Sequence, residues 1–376
     1  MAESVFWVSL LAVGYTYLGY PLFLWAWSKA GSRRVLKSPS GRRVSVVIAV
    51  YNEERHIAGR LDNCLSLDYP ADQLDVIVVS DGSTDRTCEI AGRFSRERVT
   101  LIALPERVGK AVAINRGLAV AQGEIIVFAD ARQRFAPSAV SELVANFADP
   151  TVGAVSGELV LESDPARPGA DGIGLYWRVE KWIRRTEGAI DSVIGATGAI
   201  YAVRRELFEP LPDGTILDDL LIPMRIAMKG RRVVFENRAL AFDRVTQDYR
   251  VEFRRKVRTL AGNYQAISLC PDLMKPWRNR LFLQFVSHKA CRLAAPFGLV
   301  ALLASNLFVA DGWRGGLLAF QATGYSLALA GWGLSRVGVR ERWTSAAFSF
   351  CLLNYAALVG AVRFAMRDTT LWNKRS

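Results

Sequence analysis

Two textures alternate along the chain. Val5 to Trp27 is an apolar run without a charge, long enough to cross a bilayer core of ~30 Å at ~1.5 Å per helical residue. Tyr15, Tyr17, Tyr20, Trp25 and Trp27 crowd its second half as an interfacial aromatic belt does. Lys29, Arg33, Arg34, Lys37, Arg42 and Arg43 follow, so the positive-inside rule puts this end in the cytoplasm and the N-terminus outside. No A-x-A cleavage signature follows the run, which is long for a signal-peptide core.

From residue 44 the period shortens. Val44 to Val50, Leu74 to Val79, Val99 to Leu104 and Glu124 to Phe128 are short, near-continuous apolar runs. Helical patterns separate them, one ending at Leu65 and another covering Gly109 to Ala121. This predicts a parallel α/β sheet covered on both faces, with ligand bound beyond the carboxyl ends of the strands. The polar clusters sit at those ends: Asn52-Glu53-Glu54, Ser80-Asp81-Gly82-Ser83-Thr84-Asp85, and Asp130.

Residues 151–245 read as mixed α/β. Leu175 to Ile190 is helical and carries Trp177 and Trp182; a small-residue loop, Gly195 to Ala199, leads into the strand Ile200 to Val203. The stretch Ile216 to Arg225 opens a helix on two adjacent carboxylates, Asp218 and Asp219, and Gly230 closes it before a strand from Arg231. Acidic residues suit a first helical turn, so the pair reads either as a cap or as a catalytic group.

Tyr249 to Leu269 is a basic amphipathic helix of the kind that lies in a membrane interface, and Leu281 to Lys289 reads as a second interfacial piece. Apolar spans follow at about 293–310, 315–334 and 344–363, for four spans in all. Arg336, Arg340 and Arg342 belong inside. Arg363, Arg367, Lys374 and Arg375 also favour the inside, although four crossings from an outside N-terminus end outside.

Composition narrows the class. The 376 residues hold 48 Lys+Arg against 36 Asp+Glu, a net charge of +12, and 51% hydrophobic residues. That combination fits a membrane protein beside anionic lipid, or one with a phosphate-rich partner, and not a nucleic-acid binder. The 5 cysteines are widely spaced with no C-x-x-C, which reads as free thiols. With only His56 and His288 present, acid–base chemistry falls to carboxylates. There is no Gly-x-Gly-x-x-Gly and no P-loop.

The carboxylates Asp81, Asp130, Asp218 and Asp219, grouped with Lys110, suit a divalent metal bridging a diphosphate. The motifs that carry them resemble, in order, those of the membrane-bound family 2 glycosyltransferases, the inverting group that contains cellulose, chitin and hyaluronan synthases. Val46 to Glu53 looks like the family's opening strand and Y-N-E; Val78 to Asp85 looks like its D-D-G-S-T-D turn, with Ser80 for the first Asp. Gly109 to Asn115 looks like G-K-x-x-A-x-N, Phe128 to Arg132 sits at the D-x-D, Thr197-Gly198 at the T-G loop, and Asp218-Asp219 at the base motif. The resemblance covers about residues 44–260.

It implies a GT-A type α/β fold, a mixed but mainly parallel nucleotide-sugar-binding sheet inserted between transmembrane α-helices. Residues 1–43 would be the first span and basic linker, 44–245 the cytoplasmic domain, 246–292 interfacial helices and 293–376 the remaining spans and tail. Val50, Tyr51, Glu53 and Asp81 would line a uridine site, Lys110 would lie near the nucleotide, and Asp130 would bind Mg²⁺ or Mn²⁺ through the diphosphate. Asp219, six residues before Arg225, would be the general base and Asp218 its support or the helix cap. Thr197 and Gly198 would belong to the acceptor loop. Asp130-Ala131-Arg132 lacks the second metal carboxylate, so Arg132 would bond the diphosphate directly or weaken metal affinity. Arg255-Lys256-Val257-Arg258-Thr259 keeps one Arg of the Q-x-x-R-W associated with processive members. Arg255 and Arg258 would contact the leaving diphosphate, or else snorkel to lipid headgroups.

The implied partners are a UDP-sugar donor, membrane lipids, and a growing polysaccharide or a polyprenyl-phosphate or other lipid acceptor. A catalytically silent membrane scaffold is a third reading. A polymer channel built on four spans would call for a homo-oligomer or an export partner. The implied location is the inner membrane, multi-pass, with the catalytic domain cytoplasmic.

Overall fold

The computed structural model describes residues 1–39, 41–95, 98–162, 171–244, 249–309, 312–339 and 341–368, and the backbone alone for 171–177 and 249. Arg340, Lys374, Arg375 and the side chain of Trp177 lie outside the described residues. Helices α1 (Ala2–Gly14) and α2 (Tyr20–Ala30) are continuous through a π-helical turn, Tyr15–Gly19. The sheet domain then begins with β1 (Val44–Val50), α3 (Ile57–Leu65), β2 (Leu74–Ser80), α4 (Thr87–Gly92), β3 (Val99–Ala103), α5 (Lys110–Val120) and β4 (Ile125–Ala129).

Next come β5 (Arg134–Phe135), α6 (Ala139–Ala145), β6 (Val152–Glu162), α7 (Asp171–Ile190), β7 (Ile200–Arg204), α8 (Asp218–Met228) and β8 (Arg232–Arg244). The eight strands form one sheet in the order β3-β2-β1-β4-β7-β6-β8-β5. β1 pairs parallel with β2 and β4, and β2 with β3. β7 runs antiparallel to both β4 and β6, which makes the sheet mixed.

Alternation assigns the faces. Val44, Val46, Ile48 and Val50 of β1 join Val76 and Val78 of β2 under Ile57 and Leu61 of α3. Val47 of β1, with Ile77 and Val79 of β2, faces Ala113 and Ile114 of α5 and shares that second core with Leu221 and Met224 of α8. Burying an aliphatic side chain stabilises by roughly 1.5–3 kcal/mol, so both faces hold the sheet between helices. All the parallel strands therefore point their carboxyl ends toward one rim.

After the sheet come α9 (Tyr249–Leu269), α10 (Phe282–Phe285), α11 (Cys291–Val309), α12 (Gly312–Arg336) and α13 (Arg342–Ala365). The sequence separates an interfacial piece at 281–289 from a span at 293–310. In the structure they are one helix, Phe282–Val309, continuous through a π-helical turn at Val286–Ala290. Three helices among the described residues are long and apolar enough to cross a membrane: Ala2–Ala30, Phe282–Val309 and Arg342–Ala365. α12, expected as a fourth span, is not among them.

The packing of α13 shows where the chain goes. Its second half lies on α9, with Tyr355 stacked on Phe253 at 5.6 Å and Phe364 on Tyr264 at 5.9 Å. The start of α12 instead meets the far end of α1, where Trp313 lies 5.6 Å from Trp7 and Arg314 pairs with Glu3 at 3.0 Å. Helix α13 thus ends beside the sheet domain. On α9, Val257 and Ala261 are buried against Ile216 and Ala356, whereas Arg254 and Arg255 are exposed.

Candidate active site

The first two strand-end loops are latched together. Asp81 N–H donates to Val50 O at 2.8 Å, Glu53 N–H to Thr87 Oγ1 at 2.8 Å, and Thr84 N–H to Asn52 Oδ1 at 2.8 Å. Gly82 has a φ of +64°, and a Cβ there would collide with the backbone of Glu106 and Arg107. The Asp81 carboxylate accepts from Val108 N–H at 2.8 Å and from Gly109 N–H at 3.0 and 3.1 Å. It thereby fixes the turn into α5, and Arg107 lies 4.0 Å over the Tyr51 ring. Val50, Tyr51, Glu53 and Asp81 are all brought to this one rim.

Lys110, the first residue of α5, joins the two carboxylate motifs. Its Nζ lies 3.2 Å from Asp130 Oδ1 and 3.2 Å from Asp218 Oδ1. Burial alone would lower the lysine pKa, but Asp130, Asp218 and Asp219 outweigh it and hold the ammonium charged. Asp218 is buried and accepts from Tyr201 Oη at 3.0 Å, and the Tyr201 ring stacks on Phe128 at 4.5 Å. The N-cap of α8 is Leu217 and no side chain caps it, so of the two expectations for Asp218, support or helix cap, the cap is not met.

Asp219 occupies the first turn of α8, and its backbone carbonyl is freed by Pro223. Proline at that spacing has no N–H to return to Asp219 O. Ala196 N–H donates to Asp219 O instead, at 2.6 Å, and pins the loop 195–199 onto the helix. Gly198 lies so close that an added Cβ would sit 2.7 Å from Asp219 Oδ2. Burial, then the Asp218 charge, push the Asp219 carboxyl up to about 6, opposed by Lys110, Arg184 and Lys289.

Thr197 Oγ1 accepts from Arg184 Nη1 at 3.0 Å, and Thr197 N–H donates to Ser156 Oγ at 2.9 Å. From α9, Gln265 accepts from Ile216 N–H at 2.9 Å and donates to Gly214 O at 2.9 Å, so it holds the segment just before Asp218.

Other expected residues lie apart. Arg132 Nη2 is 2.7 Å from Asp243 Oδ2, which also accepts from Gln133 Nε2 at 2.9 Å. Arg132 is thus engaged by a carboxylate and is not a free cation for a diphosphate. Arg255 is exposed and Arg258 half-buried on α9, outside the Lys110 cluster. Trp182 on α7 is exposed. Tyr201, Arg184, Gln265 and Asp243 escape sequence reasoning, since each acts through a partner distant in the chain.

Residues 45–211 match the family described as Glycosyl transferase family 2. The poly-β-1,6-N-acetyl-D-glucosamine synthase of Staphylococcus epidermidis is 23% identical over 60% of this chain and 55% of its own length. The β-monoglucosyldiacylglycerol synthase of Nostoc sp. is 28% identical over 49% of this chain and 41% of its own length. The chain therefore spans about half the length of these curated relatives. A mannosyltransferase of Pyrobaculum calidifontis, solved with GDP-mannose and Mn²⁺, superposes with a TM-score of 0.73 at 26% identity, covering 98% of this chain and 100% of that one. Residues 45–211 are thus similar to a family 2 glycosyltransferase domain, on a sheet that is GT-A-like, mixed and mainly parallel.

Proposed function

We propose that the chain is a membrane-integrated, inverting glycosyltransferase that moves one sugar from a nucleoside-diphosphate sugar to a hydroxyl of a membrane-anchored acceptor, with Asp219 as general base. The observation that carries the base assignment is the contrast within the carboxylate pair. Asp218 is tied to Lys110 and Tyr201, while Asp219 abuts the loop at Gly198 with its pKa pushed up to about 6. A base of that strength is ionised at neutral pH and still takes a proton readily.

In this mechanism the acceptor O–H gives its proton to the Asp219 carboxylate as its oxygen bonds to C1. The C1–O bond to the diphosphate breaks with inversion, and the nucleoside diphosphate leaves with the electron pair. Lys110 offsets charge near the leaving group. The loops bearing Val50, Tyr51, Glu53 and Asp81 receive the nucleotide, uridine or guanosine being decided by a donor panel.

A divalent cation, Mg²⁺ or Mn²⁺, fits Asp130. Its side chain is 41% exposed, and Lys110, the ammonium 3.2 Å from it, is shared with Asp218. No group of three His, Cys, Asp or Glu among the described residues could hold a metal, so diphosphate oxygens would complete the shell, as is usual for Mg²⁺-type sites. Such a cation would neutralise the departing diphosphate.

Three crossings from an outside N-terminus return α13 to the cytoplasmic side, which agrees with its contact on α9 and with the basic residues Arg363 and Arg367. Single transfer is favoured by Arg255 to Thr259, which lacks the Gln and Trp of the Q-x-x-R-W associated with processive members. Chain extension is the second reading, supported by the poly-β-1,6-N-acetyl-D-glucosamine synthase relative. The test is nucleoside-diphosphate release by purified protein across a donor panel, followed by product sizing. Asp219→Asn should cost about 10²–10⁴-fold in turnover and retain donor binding. Wild-type release by that variant would sink the assignment.

A further inference from the structure

The loop 195–199 that abuts Asp219 is gripped from α7 at two points. Glu187 Oε2 accepts from Ile194 N–H at 3.4 Å just before the loop, and Arg184 Nη1 donates to Thr197 Oγ1 at 3.0 Å inside it. Glu180, Arg184 and Glu187 follow one another on α7 at steps of four and three, which puts their side chains on one face of the helix.

Two of the helices long enough to cross a membrane close over that face. From Phe282–Val309, Arg292 Nη1 meets Glu180 Oε2 at 2.6 Å. His288 of the same helix lies between the carboxylates, with Nε2 3.1 Å from Glu180 Oε1 and Nδ1 2.8 Å from Glu187 Oε1. From Ala2–Ala30, Tyr20 Oη donates to Glu187 Oε1 at 2.6 Å. Glu180 in turn faces Arg184 Nε at 3.4 Å, and Lys289 adds its charge beside both carboxylates. Burial would raise the Glu180 carboxyl, but His288 and Arg292 hold it well below the usual range. Tyr20, Glu187 and His288 are at most 1% exposed, so water does not replace a partner that is lost.

Both helices make a π-helical turn at this contact. Tyr15–Gly19 immediately precedes Tyr20, Val286–Ala290 contains His288, and the two turns touch through Tyr15 Oη and Ser287 Oγ at 2.6 Å. Such turns inside α-helices are rare and concentrate at functional sites. Apolar packing already joins α7 to α2, through Ile183 and Ile190 against Tyr20 and Leu24. The buried polar cluster adds directed contacts of hydrogen-bond length, so a shift of either membrane helix is passed to Ile194 and Thr197.

We infer that His288 is a positioning residue for sugar transfer: through Glu180, Arg184 and Thr197, and through Glu187 and Ile194, it sets the loop 195–199 against Asp219. The site is then complete only when Ala2–Ala30 and Phe282–Val309 are docked together on α7. This rests on the reading of that loop as the acceptor loop beside the base.

The test uses full-length protein in nanodiscs. In His288→Gln, amide exchange over residues 192–199 should quicken by about tenfold or more, while the nucleotide loops at 80–85 and 106–110 keep the wild-type rate. The KM for an alkyl glycoside acceptor should rise about tenfold or more, with calorimetric donor affinity within about twofold. Arg184→Gln cuts the same relay nearer the loop, so the two substitutions together should cost no more than the larger one alone. Multiplying effects would mark separate structural damage and overturn the inference. So would wild-type exchange over 192–199 in His288→Gln. Tyr20→Phe removes one hydroxyl and keeps the ring; it should move exchange and KM the same way by a smaller factor, and it decides the matter if His288→Gln does not fold. If wild type transfers to no alkyl glycoside, the functional reading fails by itself, and the exchange measurement still decides whether the membrane helices hold the loop.

Discussion

Gly198→Ala isolates the approach of the acceptor loop to the base. The backbone at Gly198 is not left-handed, so alanine strains nothing locally. Its Cβ would, however, lie 2.7 Å from Asp219 Oδ2 and 3.3 Å from Asp219 Cγ, where ordinary contact begins near 3.4 Å. The loop cannot simply retreat, because Ala196 N–H is bound to Asp219 O at 2.6 Å and Thr197 to Ser156 at 2.9 Å. The carboxylate must swing by about 0.5–1 Å, a misplacement that costs on the order of 10- to 100-fold in rate. Nucleoside-diphosphate release should therefore fall by that factor at saturating acceptor, while calorimetric donor affinity stays within about twofold, because the nucleotide loops are untouched. A variant with wild-type kcat would show that Asp219 Oδ2 is not the reacting atom.

Two other perturbations probe the same carboxylate. With its pKa pushed up to about 6, Asp219 should give kcat/KM an acid limb near that pH, falling tenfold per unit below it. Lys110→Met, by removing an opposing cation, should move the limb upward; a limb near pH 4 would refute the burial argument. The raised folded pKa also means that ionisation destabilises the fold as pH rises from about 4 to about 6. Asp219→Asn should accordingly gain on the order of 2 kcal/mol at pH 7.5 after allowance for partial exposure, and nothing below pH 4, as read by denaturation midpoints. Pro223→Ala should return a helical N–H to Asp219 O in competition with Ala196, raising acceptor KM about tenfold with unchanged or higher Tm. Unaltered kinetics would show that the freed carbonyl is incidental.

Local pattern is enough to delimit the elements. The alternation of Val44, Val46, Ile48 and Val50 marks β1 and its buried face, and the bounds Tyr249–Leu269 follow from amphipathic spacing. The polar strand ends at Asn52, Asp81 and Asp130 are legible for the same reason: burial and turn chemistry act on neighbours in the chain.

What those residues do depends on partners far away in sequence. Asp218 reads either as a cap or as a catalytic group until Lys110 and Tyr201 close on it. Arg132 reads as a phosphate ligand until β5 pairs with β8 and brings Asp243 to it. The direction of α13 likewise follows from its packing on α9, which no hydropathy window contains. Strand order and helix packing set these contacts through summed burial over the whole domain, and a single chain segment carries no record of which distant charge will meet it.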